Sequence, residues 1–265
     1  MSKKDETPKL TLSDYDEIDI GFGIDIGGSG IKGAPVHLRT GEVIGKRFRL
    51  PTPEKSTPQA VAEVLAAVVE HFNVPKTAHI GLTFPGIILH GVAASSANMD
   101  KGWIGTDIGQ VVKEATGHRA YIVNDADAAG YAETRYGAAQ GQDGVVIVIT
   151  LGTGIGSGLI NDGVLVPNVE LGHLEIDGYD AETRAASSIK EREGLSYEKW
   201  AVRLQRYFSH VEFLFSPDLF VVGGGISKDH EKFLPLLKLR APIVPAKLRN
   251  TAGIVGAAAL ADRYL

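Results

Sequence analysis

The chain has 265 residues, 44% of them hydrophobic and 22% charged, with 32 glycines and no cysteine. That composition excludes a disulfide scaffold and a cysteine-ligated zinc module. Against 32 acidic residues there are 27 Lys and Arg, a net charge of −5, so no global field gathers nucleic acid or an anionic membrane and any phosphate-binding surface has to be local.

The first nineteen residues read as a polar, flexible lead-in without a signal-peptide core. From Ile20 apolar residues alternate with Gly21, Gly23 and Asp25, and after Gly27-Gly28-Ser29-Gly30 the chain resumes as two strand-like runs around Thr40-Gly41. Thr57-Pro58 offers an N-cap and a proline for the first helical position, followed by Val61, Val64, Leu65, Val68, Val69 and Phe72 at helical spacing. A strand at about 78–84 leads into Pro85-Gly86, and a second helix is predicted from Thr106 to a Gly117 C-cap.

The same grammar restarts past residue 119. A strand ends at Val123, a helix carries Ala126, Ala129 and Ala132, and an apolar run over 145–151 enters a second Gly-rich turn, Gly152-Thr153-Gly154-Ile155-Gly156. Asn161-Asp162-Gly163 is a hairpin signal. The stretch 174–195 carries no clear period, whereas Ser196 to about Phe215 reads as a long amphipathic helix with Trp200, Leu204, Phe208, Val211 and Phe215 inside. Asp218 to Ser227 is predicted as a buried strand running into a third turn, Gly223-Gly224-Gly225, and Asn250 as the cap of an alanine-rich last helix. Two halves that each present strand, Gly-rich turn and strand suggest a duplicated domain, with the cleft between them as the expected ligand site. No apolar run approaches the roughly 20 residues of a membrane-spanning helix, and the reading is a cytoplasmic protein.

The first turn fits the spelling of a dinucleotide fingerprint, but that motif needs a helix directly after it, and the residues from Ala34 to Leu50 read as β. No Walker-A sequence occurs anywhere. What remains is a hairpin turn whose N–H groups can approach phosphate oxygens, with Asp25 as a carboxylate near a phosphate-bound Mg²⁺ and Lys32 as a partner for an anionic oxygen. Asn124-Asp125 stands where a strand ends and a helix begins, the usual place for reactive groups in open α/β sheets, although Asp125 equally suits a plain N-cap.

Together, Asp25–Lys32, Asn124-Asp125, Leu151–Gly156, Glu170-Leu171-Gly172-His173 and Gly223-Gly224-Gly225-Ile226 resemble the ROK family of sugar kinases, in order over about residues 20–260. More narrowly, Thr83–Ile87, Val166–Gly178 and Leu204–His210 are similar to actinobacterial polyphosphate glucokinases and glucomannokinases. The resemblance implies an α/β, two-domain actin-like/hexokinase-like ATPase (ribonuclease H-like) fold with an interdomain cleft. Residues 20–123 plus 251–265 would form the smaller N-terminal domain and residues 124–250 the C-terminal one.

It also implies a Mg²⁺-dependent kinase that transfers phosphate from polyphosphate or ATP to the 6-hydroxyl of glucose, and of mannose, with Asp125 as general base. Gly86, Asn98, Asn124, Asp125, Glu170 and His173 would hold the sugar, with Glu182 at the position of a further sugar-binding glutamate. The phosphates would meet Gly27, Gly28, Ser29, Gly30 and Lys32, and also Gly152, Thr153, Gly154 and Gly156. Gly223, Gly224, Gly225 and Ile226 would form the nucleotide side, and Asp25 would place Mg²⁺ indirectly or through water. Members of the family usually carry zinc on a histidine and three cysteines; without cysteine no zinc is expected, and His173 is released for sugar contact or loop bracing. Lys32, Lys55, Lys238, Arg240, Lys247 and Arg249 are candidates for a polyphosphate track. The expected assembly is a monomer or homodimer without nucleic acid or membrane. The alternatives are a strictly ATP-dependent kinase of another hexose and a sugar-sensing regulator, which retention of Asp125 and the lack of a helix-turn-helix extension argue against.

Overall fold

The computed structural model describes residues 19–265, so the expected lead-in, apart from Asp19, lies outside the described residues. The chain divides into two compact units, one running to Ala128 and taking in Gly253–Leu265, the other Ala129–Ala252.

In the first unit β1 (Ile20–Gly27) and β2 (Gly30–His37) form a hairpin in which Gly27 faces Gly30. The short strands β3 (Glu42–Val43) and β4 (Phe48–Leu50) both pair with β2. Beyond β1 lie β5 (Ile80–Phe84), then, after the ribbon β6 (Ile88–Leu89) and β7 (Val92–Ala93), β8 (Ala120–Asn124). The sheet order is β3-β2-β1-β5-β8, with β1, β5 and β8 parallel. Helix α1 (Pro58–His71) begins where the sequence predicts, with Thr57 Oγ1 accepting from the Ala60 N–H at 3.3 Å. Its Val61, Leu65 and Val68 join Phe22, Ile24, Phe84 and Trp103 in one core; each large side chain so buried contributes about 1.5–3 kcal/mol.

Helix α2 (Ile108–Thr116) starts two residues later than expected, because Asp107 caps it by accepting from the Gln110 N–H at 2.9 Å while the Thr106 hydroxyl turns to Gly102 O. It ends at Gly117 with φ 76°, as predicted. Helix α3 (Asp125–Tyr136) follows β8 without a loop. The division at Ala128 falls one turn into this helix, so Asn124 and Asp125 belong to the first unit.

The second unit repeats the plan. Strands β9 (Val145–Leu151) and β10 (Ile155–Asn161) form the hairpin and β11 (Val164–Val166) extends it. The aperiodic stretch resolves into a ribbon, β12 (Glu175–Ile176) and β13 (Tyr179–Asp180), and two short helices, α4 (Glu182–Ala185) and α5 (Ser187–Arg192). Each is too short for a hydrophobic period to register. Helix α6 (Tyr197–Phe215) follows, capped by Ser196, with Trp200, Leu204, Phe208 and Val211 buried and Phe215 partly so. Strands β14 (Leu219–Gly223) and β15 (Ile243–Pro245) complete the order β11-β10-β9-β14-β15, with β14 parallel to β9 and to β15. The third Gly-rich segment leaves the strand earlier than expected: β14 stops at Gly223, Gly224 takes φ 84°, and 3-10 structure covers Gly225–Lys232 with a kink at Asp229.

The last helix, α7 (Ala252–Tyr264), is entered through a 3-10 turn, Arg249–Thr251, so Asn250 stands inside that turn and not at the cap position directly before the helix. Within the first unit α7 lies hard against β1 and β5. A Cβ on Gly23 would fall 2.0 Å from Ile254 O, and one on Gly81 1.9 Å from Ala257 O. This contact explains why glycine interrupts two otherwise apolar buried strands. No helix among the described residues is long and apolar enough to cross a membrane.

Candidate active site

Parallel pairing of β1, β5 and β8 brings their carboxyl ends to one edge of the first sheet, where ligands bind in open α/β folds. Asp25 and Lys32 face each other across the hairpin, Lys32 Nζ lying 3.2 Å from Asp25 Oδ2. The buried Thr83 hydroxyl, in β5, donates to Asp25 Oδ1 at 2.8 Å and accepts from the Ile26 N–H at 3.2 Å. Asp25 is therefore fixed on both oxygens beside the turn.

The turn itself is biased toward donation. The carbonyl of Gly27 accepts from the Thr52 hydroxyl and that of Ser29 from Arg49 Nη2 at 2.6 Å. With these acceptors taken up, what the Gly-rich backbone offers an anion is N–H. Asn98, at φ 57°, reaches the same place: a Cβ on Gly28 would lie 3.9 Å from its Cβ.

At the end of β8 the two adjacent polar residues separate in role. Asn124 Oδ1 accepts from the N–H groups of Ala126 at 2.8 Å and Asp127 at 3.2 Å, while its Nδ2 donates to Gly86 O at 3.1 Å. Asn124 is thus the N-cap and is buried; Asp125 occupies the first helical position and is exposed, with Oδ1 accepting from the Ala126 N–H at 2.9 Å. The positive end of the helix dipole lies at this position. Gly86, Asn98, Asn124, Asp125, Asp25 and the first turn are gathered on the loops and strand ends of this unit.

In the second Gly-rich turn carbonyls are likewise taken up, while the Gly152 N–H is itself spent on Gly154 O at 3.0 Å. Gly152 O accepts from the Ser187 hydroxyl at 3.0 Å and the Ser188 N–H at 3.1 Å, and Thr153 O from the Ser188 hydroxyl at 2.6 Å. Glu182 Oε2 accepts from the Ile155 N–H at 3.0 Å, and a Cβ on Gly154 would stand 2.2 Å from that oxygen. Glycine at 154 is what lets the carboxylate close on the turn.

Glu182 also meets His173 and Asp180: their ligating atoms all lie within 4.8 Å of one another. His173 Nδ1 is 2.8 Å from Asp180 Oδ2, and this hydrogen bond, with Glu182 and Glu170 nearby, raises the imidazole pKa above its ordinary value despite partial burial. The bond fixes the Nδ1 side and leaves Nε2 as the free face of the ring. Glu170 stands directly before the 3-10 turn Leu171–His173. That turn is pinned by the Ser157 hydroxyl, which donates to Val169 O and accepts from the Leu171 N–H. Gly156 lies in β10 opposite Thr150. Gly223 pairs with Thr150, and a Cβ on Gly224 would fall 2.2 Å from Leu151 O, so the third turn adjoins the second; Ile226 is buried.

Several residues escaped the sequence reading. Thr83, Arg49, Thr52, Ser187, Ser188 and Asp180 all brace the site, but each acts through a partner distant in sequence or lies in the aperiodic stretch. Of the candidate basic track, Lys32 and Lys55 fall in the first unit and Lys238, Arg240, Lys247 and Arg249 in the second. Lys32 is paired with Asp25, and Arg240 Nη2 donates to Pro217 O at 3.3 Å.

Comparison with known proteins gives consistent relatives. The chain is 51% identical over 254 residues to the polyphosphate glucokinase of Mycobacterium tuberculosis, covering 96% of this chain and 93% of that one. It is similar to the crystal structure of the inorganic polyphosphate/ATP-glucomannokinase from Arthrobacter sp. strain KM, with a TM-score of 0.88, 57% identity, and coverage of 93% and 99%. A ROK family glucokinase from Streptomyces griseus, solved with glucose and AMPPNP, shares the fold at a TM-score of 0.77 and 24% identity, over 92% of this chain and 99% of that one. The ROK family model matches residues 21–188, a span that holds the first two Gly-rich turns, the Asn124-Asp125 junction and the His173 cluster. With that match and half of all positions shared along nearly the full length of a relative, the chain belongs to the ROK family.

Proposed function

We propose that the protein is a hexose 6-kinase that transfers the terminal phosphoryl group of polyphosphate, or the γ-phosphoryl group of ATP, to O6 of glucose, with mannose as a second acceptor. The observation that carries this reading is the carboxylate of Asp125, set at the first helical position by the Asn124 cap on the strand-end edge that also bears the Gly27–Gly30 turn. The named activities of the mycobacterial and Arthrobacter relatives support it.

In the reaction Asp125 accepts the O6–H proton as O6 attacks the terminal phosphorus. The bond from phosphorus to its bridging oxygen breaks, and the shortened polyphosphate or ADP leaves. Gly86, Asn98, Glu170, His173 and Glu182 hold the other hydroxyls, and Asn124 contributes chiefly by aligning Asp125. The Gly-rich turns at 27–30 and 152–156 receive phosphate oxygens, with Gly223–Ile226 on the adenosine side when ATP is used.

The residues present fit Mg²⁺ held through water: both oxygens of Asp25 already accept from the protein, which leaves lone pairs for a bridging water but no open bidentate edge. When bound, Mg²⁺ would neutralise charge on the transferred group. We place the activity in the cytoplasm, in keeping with a chain that uses no cysteine.

The test is the initial rate of hexose 6-phosphate formation from glucose and Mg²⁺, with long-chain polyphosphate and ATP compared at equal phosphate-bond concentration. Turnover with polyphosphate supports the full reading. Turnover with ATP alone removes the polyphosphate donor, and no turnover with either overturns the kinase assignment.

A further inference from the structure

The second unit contains a cavity of about 300 Å³ that the proposed chemistry does not use. We propose that it is a binding site for a compact amphipathic anion, a ring-sized apolar body bearing a carboxylate or phosphate, and that its occupancy is felt at the His173 cluster.

The walls define the ligand. Ile176, Ala181, Ala185 and Val202 supply apolar surface, and Arg184, Arg203 and Arg206 contribute three guanidinium groups against a single carboxylate, Asp177. Asp177 is already taken, accepting from Arg206 at 2.9 and 2.7 Å, and Arg203 is held by Glu193 at 2.6 Å. Arg184 differs: its guanidinium lies over the Tyr179 ring at 3.7 Å, and among the described residues no carboxylate is within ion-pair distance of it.

Tyr207, on the same wall, is buried, and its hydroxyl has no hydrogen-bond partner among the described residues. Burial pushes its pKa far up, so it remains a neutral O–H donor. A buried hydroxyl left unpaired is costly. The Tyr207 hydroxyl presents no surface to the cavity, so the donors open to an occupant are the guanidinium groups, three against the one carboxylate of Asp177 with Arg184 unpaired, and the lining is short of acceptors and of negative charge. An occupant that brings both on an apolar body of this size completes it, at the small end of known ligand pockets.

The coupling follows from one short segment. Tyr179, Ala181, Arg184 and Ala185 line the cavity, while the interleaved Asp180 and Glu182 hold His173 Nδ1 and the Ile155 N–H. Movement of this segment by a ligand on one side must alter the bracing of His173 on the other. This second part of the proposal rests on His173 and Glu182 contacting sugar; the binding part does not.

The experiment titrates the full chain with benzoate and phenyl phosphate, using benzamide as a neutral control, and reads ligand-observed saturation-transfer NMR and Tm. Saturable binding of either anion with half-saturation at or below about 1 mM, and not of benzamide, is the expected result; which anion binds identifies the head group. Arg184→Ala should weaken it at least tenfold. No saturation up to about 10 mM overturns the site, as does binding that survives Arg184→Ala, which in the case of phenyl phosphate would belong to the phosphate turns. Glucose affinity is then measured by calorimetry with and without the bound probe. A severalfold change supports the coupling; an unchanged value refutes it while leaving the site intact.

Discussion

Replacing Gly154 by alanine isolates the contact that ties the Glu182 carboxylate to the second turn. The glycine has no left-handed φ, so alanine brings no backbone strain, only a Cβ 2.2 Å from Oε2 and 3.1 Å from Cδ of Glu182. Carbon and oxygen approach no closer than about 3.3 Å, so the carboxylate has to retreat by about 1 Å and release the Ile155 N–H. A hydrogen bond to a charged group contributes about 1.5–3 kcal/mol, which for a chain of this size corresponds to a Tm lower by about 3–10 °C. The assay is thermal unfolding of a double-mutant cycle. On a Glu182→Ala background the clashing partner is gone, and adding Gly154→Ala should cost almost nothing. Equal losses from Gly154→Ala with and without Glu182 would refute the reasoning. On the reading that Glu182 contacts sugar, the single variant should also raise the glucose KM about tenfold.

Asn124→Ala removes the cap of α3, and urea unfolding should show a loss of about 1 kcal/mol, together with a fall in kcat because Asp125 is no longer aligned. Thr83→Val keeps the shape but deprives Asp25 of a donor and the Ile26 N–H of its acceptor in a fully buried place. It should cost about 2–4 kcal/mol in denaturant unfolding, with Thr83→Ser restoring most of it. The raised His173 pKa makes its ion pair with Asp180 a stabilising contribution that is fully present below the ordinary histidine pKa and lost as pH rises through the raised value. The pair is solvent-screened, so an NMR titration of the ring protons is the sensitive readout. Asp180→Asn should bring the His173 midpoint down toward the ordinary value, and an unmoved midpoint would contradict the assignment of the shift to Asp180.

Legibility in the sequence followed range. Helix α1 could be read because its cap, its proline and its apolar stripe all lie within sixteen residues, and the two hairpins because Gly-rich turns sit between strand-like runs. Asp25, Lys32 and Asp125 could be named from local spacing. What could not be read is how they are held. Thr83 reaches Asp25 from 58 residues away, Ser187 and Ser188 reach the second turn from 35, and Asp180 sits in a ribbon too short to show a period. The difference between Asn124 as cap and Asp125 as exposed carboxylate depends on one residue of helix phase, which residue type alone leaves open because both suit a cap. The strand glycines 23 and 81 are the places where the backbone of α7 touches the sheet.

The central claim is that Asp125 takes the proton of the attacking hydroxyl, and the most direct measurement is the steady-state and single-turnover kinetics of Asp125→Asn with glucose and the better phosphoryl donor. Asparagine can still accept from the Ala126 N–H, so the helix start is preserved and only the base is lost. The account expects kcat to fall by a factor of about 10² to 10⁴ with glucose affinity, measured by calorimetry, little changed. Turnover within a few-fold of the parent protein, or a loss confined to glucose affinity, would contradict it.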